Sequence, residues 1–228
     1  IGEDAAAERI ARRIAALNGR GKMVLAEFLG THGKLKEAAE VYRQAAAEGD
    51  ARDAARSALG LASGELSSNE DWLKQADVLL EQAIRKQPEA VELLQARAYL
   101  RHLQRNYDEE IQLYNQVMSR NPSSYVFLNN WAWTLSEELG KPEEGLKRVT
   151  QAIEKVGKQP HILDTRGVIF LRLGRVDEAV ADLEIAAAAI PSGTIYFHLA
   201  RAYEKAGRKD DFAKFLQKAR DAKLKPDQ

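Results

Sequence analysis

The chemistry available to this chain comes from a short inventory. Four His are scattered along it, there is no Cys, and no HExxH helix, GxSxG turn or Gly-rich phosphate loop is present. His residues so dispersed have no metal-ligand spacing, and the lack of thiols removes disulfides, thiolate metal sites and Cys nucleophiles. A nucleophile would have to be a Ser or Thr without a local pattern. The expectation is therefore no enzyme activity, no metal and no cofactor. What the chain does carry suits recognition. The run Asn129 to Trp133, NNWAW, sets two amides beside two indoles. An Asn amide offers both donor and acceptor to a peptide backbone, and Trp or Tyr supplies a rigid apolar platform with little entropy to lose.

Composition narrows the partner class. Lys plus Arg equals Asp plus Glu at 34 each in 228 residues, which argues against a nucleic acid, since polyanion binding requires clustered positive charge. Apolar residues make up 45%, few are Pro, and no run of eighteen apolar residues exists, so an all-helical chain without membrane insertion is expected. The first residue is Ile1 and no signal-like apolar segment follows, which leaves localisation unassigned and suggests a processed or partial chain.

The elements that would position these side chains are clearest from Pro160 to Pro191. Leu163, Gly167 and Phe170 fall at i, i+4 and i+7 on one face of a first helix, which Gly174 closes. A second helix runs through Val176, Ala179, Val180, Leu183 and Ala186 until Pro191. Gly167 and Ala179 leave room for close packing while Leu163 and Leu183 fill the space beside them. Such a hairpin cannot bury both of its faces, so copies are expected next to it. The small position of the second helix recurs at Ala38, Ala76, Glu110, Gly145, Ala179 and Phe212, with separations of 38, 34, 35, 34 and 33. Four residues on from each come Tyr42, Leu80, Tyr114, Val149, Leu183 and Leu216.

This spaced pattern resembles the tetratricopeptide repeat (TPR), whose period is about thirty-four residues. The resemblance implies an all-α, right-handed superhelix, an α-solenoid of about six helix-turn-helix repeats plus an N-terminal helix. The expected divisions are 1–18, the second helix of a truncated repeat with an apolar stripe of Ala7, Ile10, Ile14 and Leu17; 19–52; 53–90; 91–124; 125–159; 160–192; and 193–228 with a C-terminal tail. The second repeat holds four extra residues within SGELSSNEDW, where Ser67, Ser68 and Asn69 read as a turn and helix cap. The third departs from the pattern at Arg101, Glu110 and Val117. The fourth has one extra residue before Gly145. Phrases such as LDTRGVIFLRLGR are similar to those of large bacterial TPR proteins.

The resemblance also implies where a ligand would lie. First helices of such arrays line a concave groove, which places Gln95, Tyr99 and His102 in it from the third repeat and Asn129, Asn130 and Trp133 from the fourth. His161, Asp164, Thr165, His198, Arg201 and Lys205 join them from the fifth and sixth. Asn130 matches a place where peptide-binding members carry Asn, whereas Met23 and Glu27 do not match the Lys and Asn set that clamps a C-terminal carboxylate. Simpler accounts stay open: Trp131 and Trp133 as packing residues, Asp164 and Thr165 as local caps, and the His as ordinary surface residues. The expected function is a protein-interaction scaffold binding a peptide or protein segment. The alternatives are a self-assembly module forming a homo-oligomer and an accessory domain of a larger enzyme or secretion-type complex.

Overall fold

The computed structural model describes residues 2–62, 70–121 and 124–224, and every regular element among them is helical. The chain forms two compact units, Ile1–Asn121 and Pro122–Gln228. The first holds α1 (Gly2–Ala15), α2 (Gly19–Thr31), α3 (Leu35–Glu48), α4 (Ala51–Leu61), α5 (Glu70–Lys86), α6 (Val91–Leu103) and α7 (Tyr107–Arg120). The second holds α8 (Tyr125–Trp133) with a π turn at Thr134–Glu138, α9 (Pro142–Val156), α10 (Pro160–Arg172), α11 (Val176–Ala189), α12 (Gly193–Lys205) and α13 (Lys209–Leu224). Within each unit the helices pair as hairpins, α2 with α3, α4 with α5, α6 with α7, α8 with α9, α10 with α11 and α12 with α13.

Local chemistry sets the boundaries. Asn18 accepts from the Gly21 N–H at 2.9 Å, and Asp50 accepts from the N–H groups of Arg52 and Asp53 at 2.8 and 3.0 Å, so both cap their helices. Pro142 and Pro160 open α9 and α10, where a missing N–H costs nothing. Two residues before each of α3, α9, α11 and α13 a Gly takes positive φ, between 64° and 73°; before α7 the same place is held by Arg105 at φ 56°. This is the left-handed cap that turns the chain back on itself.

The spaced pattern is the core. Ala38, Tyr42, Ala45, Ala76, Leu80, Ala179, Leu183 and Ala186 are buried, as are Val149 and Ala152. A Cβ built on Gly167 would lie 2.5 Å from Leu183 Cγ, so the small residue on the first helix seats the bulky one on the second.

The departures have physical accounts. The extra residue of the fourth repeat is absorbed by the π turn, in which the Leu139 N–H bonds to the Thr134 carbonyl at 3.1 Å. In the third repeat Arg101 is buried, with 2.9 Å bonds to both Asp77 oxygens and a 2.6 Å bond to Glu109. Desolvation opposes its charge, but hydrogen bonds to Glu109 and Asp77 outweigh it and hold its pKa above the ordinary Arg value. Glu110, fully buried, accepts from the Tyr114 hydroxyl and meets His102 Nδ1 at 3.2 Å. Polar residues at these apolar positions are thus matched by polar partners.

Helix α1 packs on α2 through Ala11 and Ala15, which are buried, while the stripe residues Ile10 and Ile14, with Leu17 just after the helix, are exposed, Leu17 at 76%. Gly21 explains this, because a Cβ there would sit 2.0 Å from the Ile14 carbonyl oxygen. Such close approach requires small residues at the contact. The expected turn and cap at Ser67, Ser68 and Asn69 lie outside the described residues.

Candidate functional site

In the second unit the first helices α8, α10 and α12 lie side by side. Their helical register decides which side chains share a face. Asn129, Asn130 and Trp133 come from α8, His161, Asp164 and Thr165 from α10, and His198, Arg201 and Lys205 from α12.

Three of these meet. His198 Nδ1 lies 2.8 Å from Asp164 Oδ1, and the His198 ring centroid is 6.0 Å from that of Trp133. A carboxylate can only accept, so Nδ1 carries a proton and donates it to Asp164. The Asp164 bond therefore orients the imidazole, and the imidazole flanks the indole. On the helix that carries Trp133, Asn129 Oδ1 is buried with no hydrogen-bond partner among the described residues. Asn130 and Lys205 are exposed, and Arg201 is half-buried. Arg172 on α10 binds Glu137 of the π turn through contacts of 2.7 to 3.0 Å, a charge already paired within the unit.

Other expected residues sit elsewhere. Thr165 is buried, and its hydroxyl donates to the His161 carbonyl at 3.3 Å, so it offers nothing to a ligand. His161 is exposed and its ring lies 6.0 Å from Tyr125. Trp131 is a packing residue, buried under the Arg148 guanidinium at 3.7 Å. Gln95, Tyr99 and His102 belong to the first unit; Tyr99 is exposed, whereas His102 is engaged with Glu110 and stands 5.8 Å from the Tyr107 ring.

Two exposed apolar side chains stand on these helices beyond the expected set. Val126 and Phe197 are 46% and 45% exposed on the same first helices. A signal for Phe197 existed: it precedes His198 as Asn129 precedes Asn130 and Asp164 precedes Thr165.

The model of the tetratricopeptide repeat family matches residues 74–125, 137–194 and 165–227. No curated protein matches the chain. Among solved structures, PilW, a widely conserved type IV pilus biogenesis factor, aligns with a TM-score of 0.67 at 20% identity over 78% of this chain and 79% of its own. PilF of Pseudomonas aeruginosa aligns at 0.64 and 16% identity over 75% and 76%. A thermophilic TPR protein of Thermus thermophilus, TTC0263, aligns at 0.62 and 19% identity over 75% and 91%. At these identities the likeness is one of fold.

Proposed function

Because the chain belongs to the tetratricopeptide repeat family, whose stacked hairpins offer extended binding surfaces, we propose that it is an interaction scaffold and that the face of α8, α10 and α12 receives a peptide or protein segment. The observation that carries this reading is the Trp133–His198–Asp164 cluster. It is an aromatic platform whose ring orientation is set by a hydrogen bond, on helices that also carry exposed Phe197 and Val126. A preformed aromatic anchor with few rotamers to lose is what a binding hot spot needs. Arg201 and Lys205 lie on the same helix as Phe197, and no carboxylate among the described residues pairs with either. An apolar segment with an acidic group fits that combination. The test is a peptide-display selection on the whole chain, followed by affinity measurement with Trp133→Ala and Asn130→Ala. Both variants should retain helicity by circular dichroism and lose about tenfold or more in affinity, which is at least about 1.4 kcal/mol. Selected peptides that bind both variants as tightly as the parent would reject this face.

A second reading rests on a separate observation. Ile10 on α1 at 58% exposure and Leu17 just after that helix at 76% offer apolar surface that a second copy of the chain could cover.

A further inference from the structure

The first unit contains a groove on its second-helix side, between α3 and α5 and floored by the start of α4. Its volume is about 330 Å³. The floor is built of small residues, Ala46, Ala47, Ala54 and Ala83, so a partner backbone can approach closely. Val78, 53% exposed, and Leu79 form an apolar wall. Lys74, Val78, Gln82 and Lys86 recur every four residues along α5 and make one continuous ridge. From Lys74 to Lys86 that ridge runs about 18 Å, roughly the length of a three-turn helix.

Lys74 and Lys86 stand at the two ends of the α5 ridge, and Arg43 lines the groove from α3. The lining's one acidic side chain, Asp50, is already committed to capping α4. Among the described residues Lys74 meets Glu70 and Asp71 of its own helix, at 3.6 and 3.9 Å, and exposed pairs of that kind hold little energy. Arg43 pairs with Glu40, also within one helix. No carboxylate among the described residues pairs with Lys86.

The second unit supplies an internal comparison. A groove of the same volume, about 330 Å³, lies beside α9 and α11, but it is filled by its own charges. There Arg166 bonds both oxygens of Asp182 at 2.6 and 2.9 Å, Arg175 binds Glu178, and both guanidinium groups stack on Phe170. That groove satisfies itself. The groove between α3 and α5 has an apolar floor, an exposed Val and cations whose carboxylates are weak, local or missing.

We propose that the groove between α3 and α5 is a second docking site, and that its occupant is an amphipathic helix of a partner protein whose apolar stripe is flanked by acidic residues. The small-residue floor accepts a helix at close interaxial distance, the Val78 and Leu79 wall buries its apolar stripe, and the cations at the ends meet its acids. This site belongs to the first unit and stands whether or not the α8, α10 and α12 face of the second unit binds.

The test is a display selection of helix-forming peptides with randomised faces against the whole chain, followed by competition with variants. Enriched peptides should carry Glu or Asp beside an apolar stripe. Their affinity should fall about tenfold or more with Val78→Asp or Lys86→Glu, weaken with added salt, and remain unchanged in Trp133→Ala. Val78 and Lys86 are exposed, so these variants are expected to fold, and circular dichroism checks it. No enrichment, enrichment of basic helices, or binders indifferent to Val78→Asp would each overturn the proposal.

Discussion

Arg105 holds a backbone conformation that glycines hold at the equivalent turns before α3, α9, α11 and α13. A side chain in the left-handed region costs about 1 kcal/mol, and Arg105 is exposed, so little packing would be lost on removing it. Arg105→Gly should therefore raise the stability by about 0.5–1 kcal/mol, less the entropy that Gly adds to the unfolded chain, read as a higher denaturation midpoint. Two buried phenols make a pH prediction. Desolvation pushes the Tyr42 hydroxyl up to about 12, and desolvation, with a 2.7 Å bond to Glu184, does the same for Tyr203, also to about 12. Raised folded values mean that the stability these groups carry is intact below the ordinary pKa of 10.0 and is lost as pH climbs from there through about 12. Denaturant titrations at alkaline pH should show that fall, and the Tyr42→Phe, Tyr203→Phe double variant should show less of it. If the two chains lose stability identically across this window, the phenols are not its source.

The hairpin is the unit in which the sequence pattern acquires physical meaning. Gly167 and Leu183 form a close contact between α10 and α11, with no space for a methyl group at 2.5 Å. Gly167→Ala should cost about 1–3 kcal/mol through overpacking, although Ala is the better helix former. In a Leu183→Ala background the same change should cost much less, since the clashing atoms are gone; an equal cost in both backgrounds would place the strain elsewhere. The other hairpins vary this theme. Arg101 and Glu110 sit where the repeat pattern asks for an aromatic and a small residue, and Asp77, Glu109, Tyr114 and His102 supply the partners that make them tolerable. The π turn at Thr134–Glu138 takes up one residue without shifting the core positions Gly145 and Val149 out of burial.

For the whole molecule, the question is whether the array acts as a binding surface or as architecture for self-assembly. If the face of α8, α10 and α12 is the working surface, light scattering should give a monomer mass that does not change with concentration. A dimer that dissociates in an Ile10→Asp, Leu17→Asp variant would move the weight to α1. The sequence by itself determined the fold class and the core, because a hairpin that buries Ala38, Tyr42, Leu80, Ala179 and Leu183 must repeat small and bulky residues at fixed spacing, and such spacing survives in one dimension. It also marked the faces on which Asn130, Trp133 and His198 stand. Only the tertiary structure decided which candidates meet. Asp164 and His198 are separated by one repeat in the chain, and their hydrogen bond depends on how α10 packs beside α12. Packing between neighbouring helices likewise turned Thr165 inward, put Trp131 of α8 beneath Arg148 of α9 and left Phe197 in solvent. Periodicity assigns a side chain to a helix face, but the neighbouring helix determines whether that face is filled, paired or open.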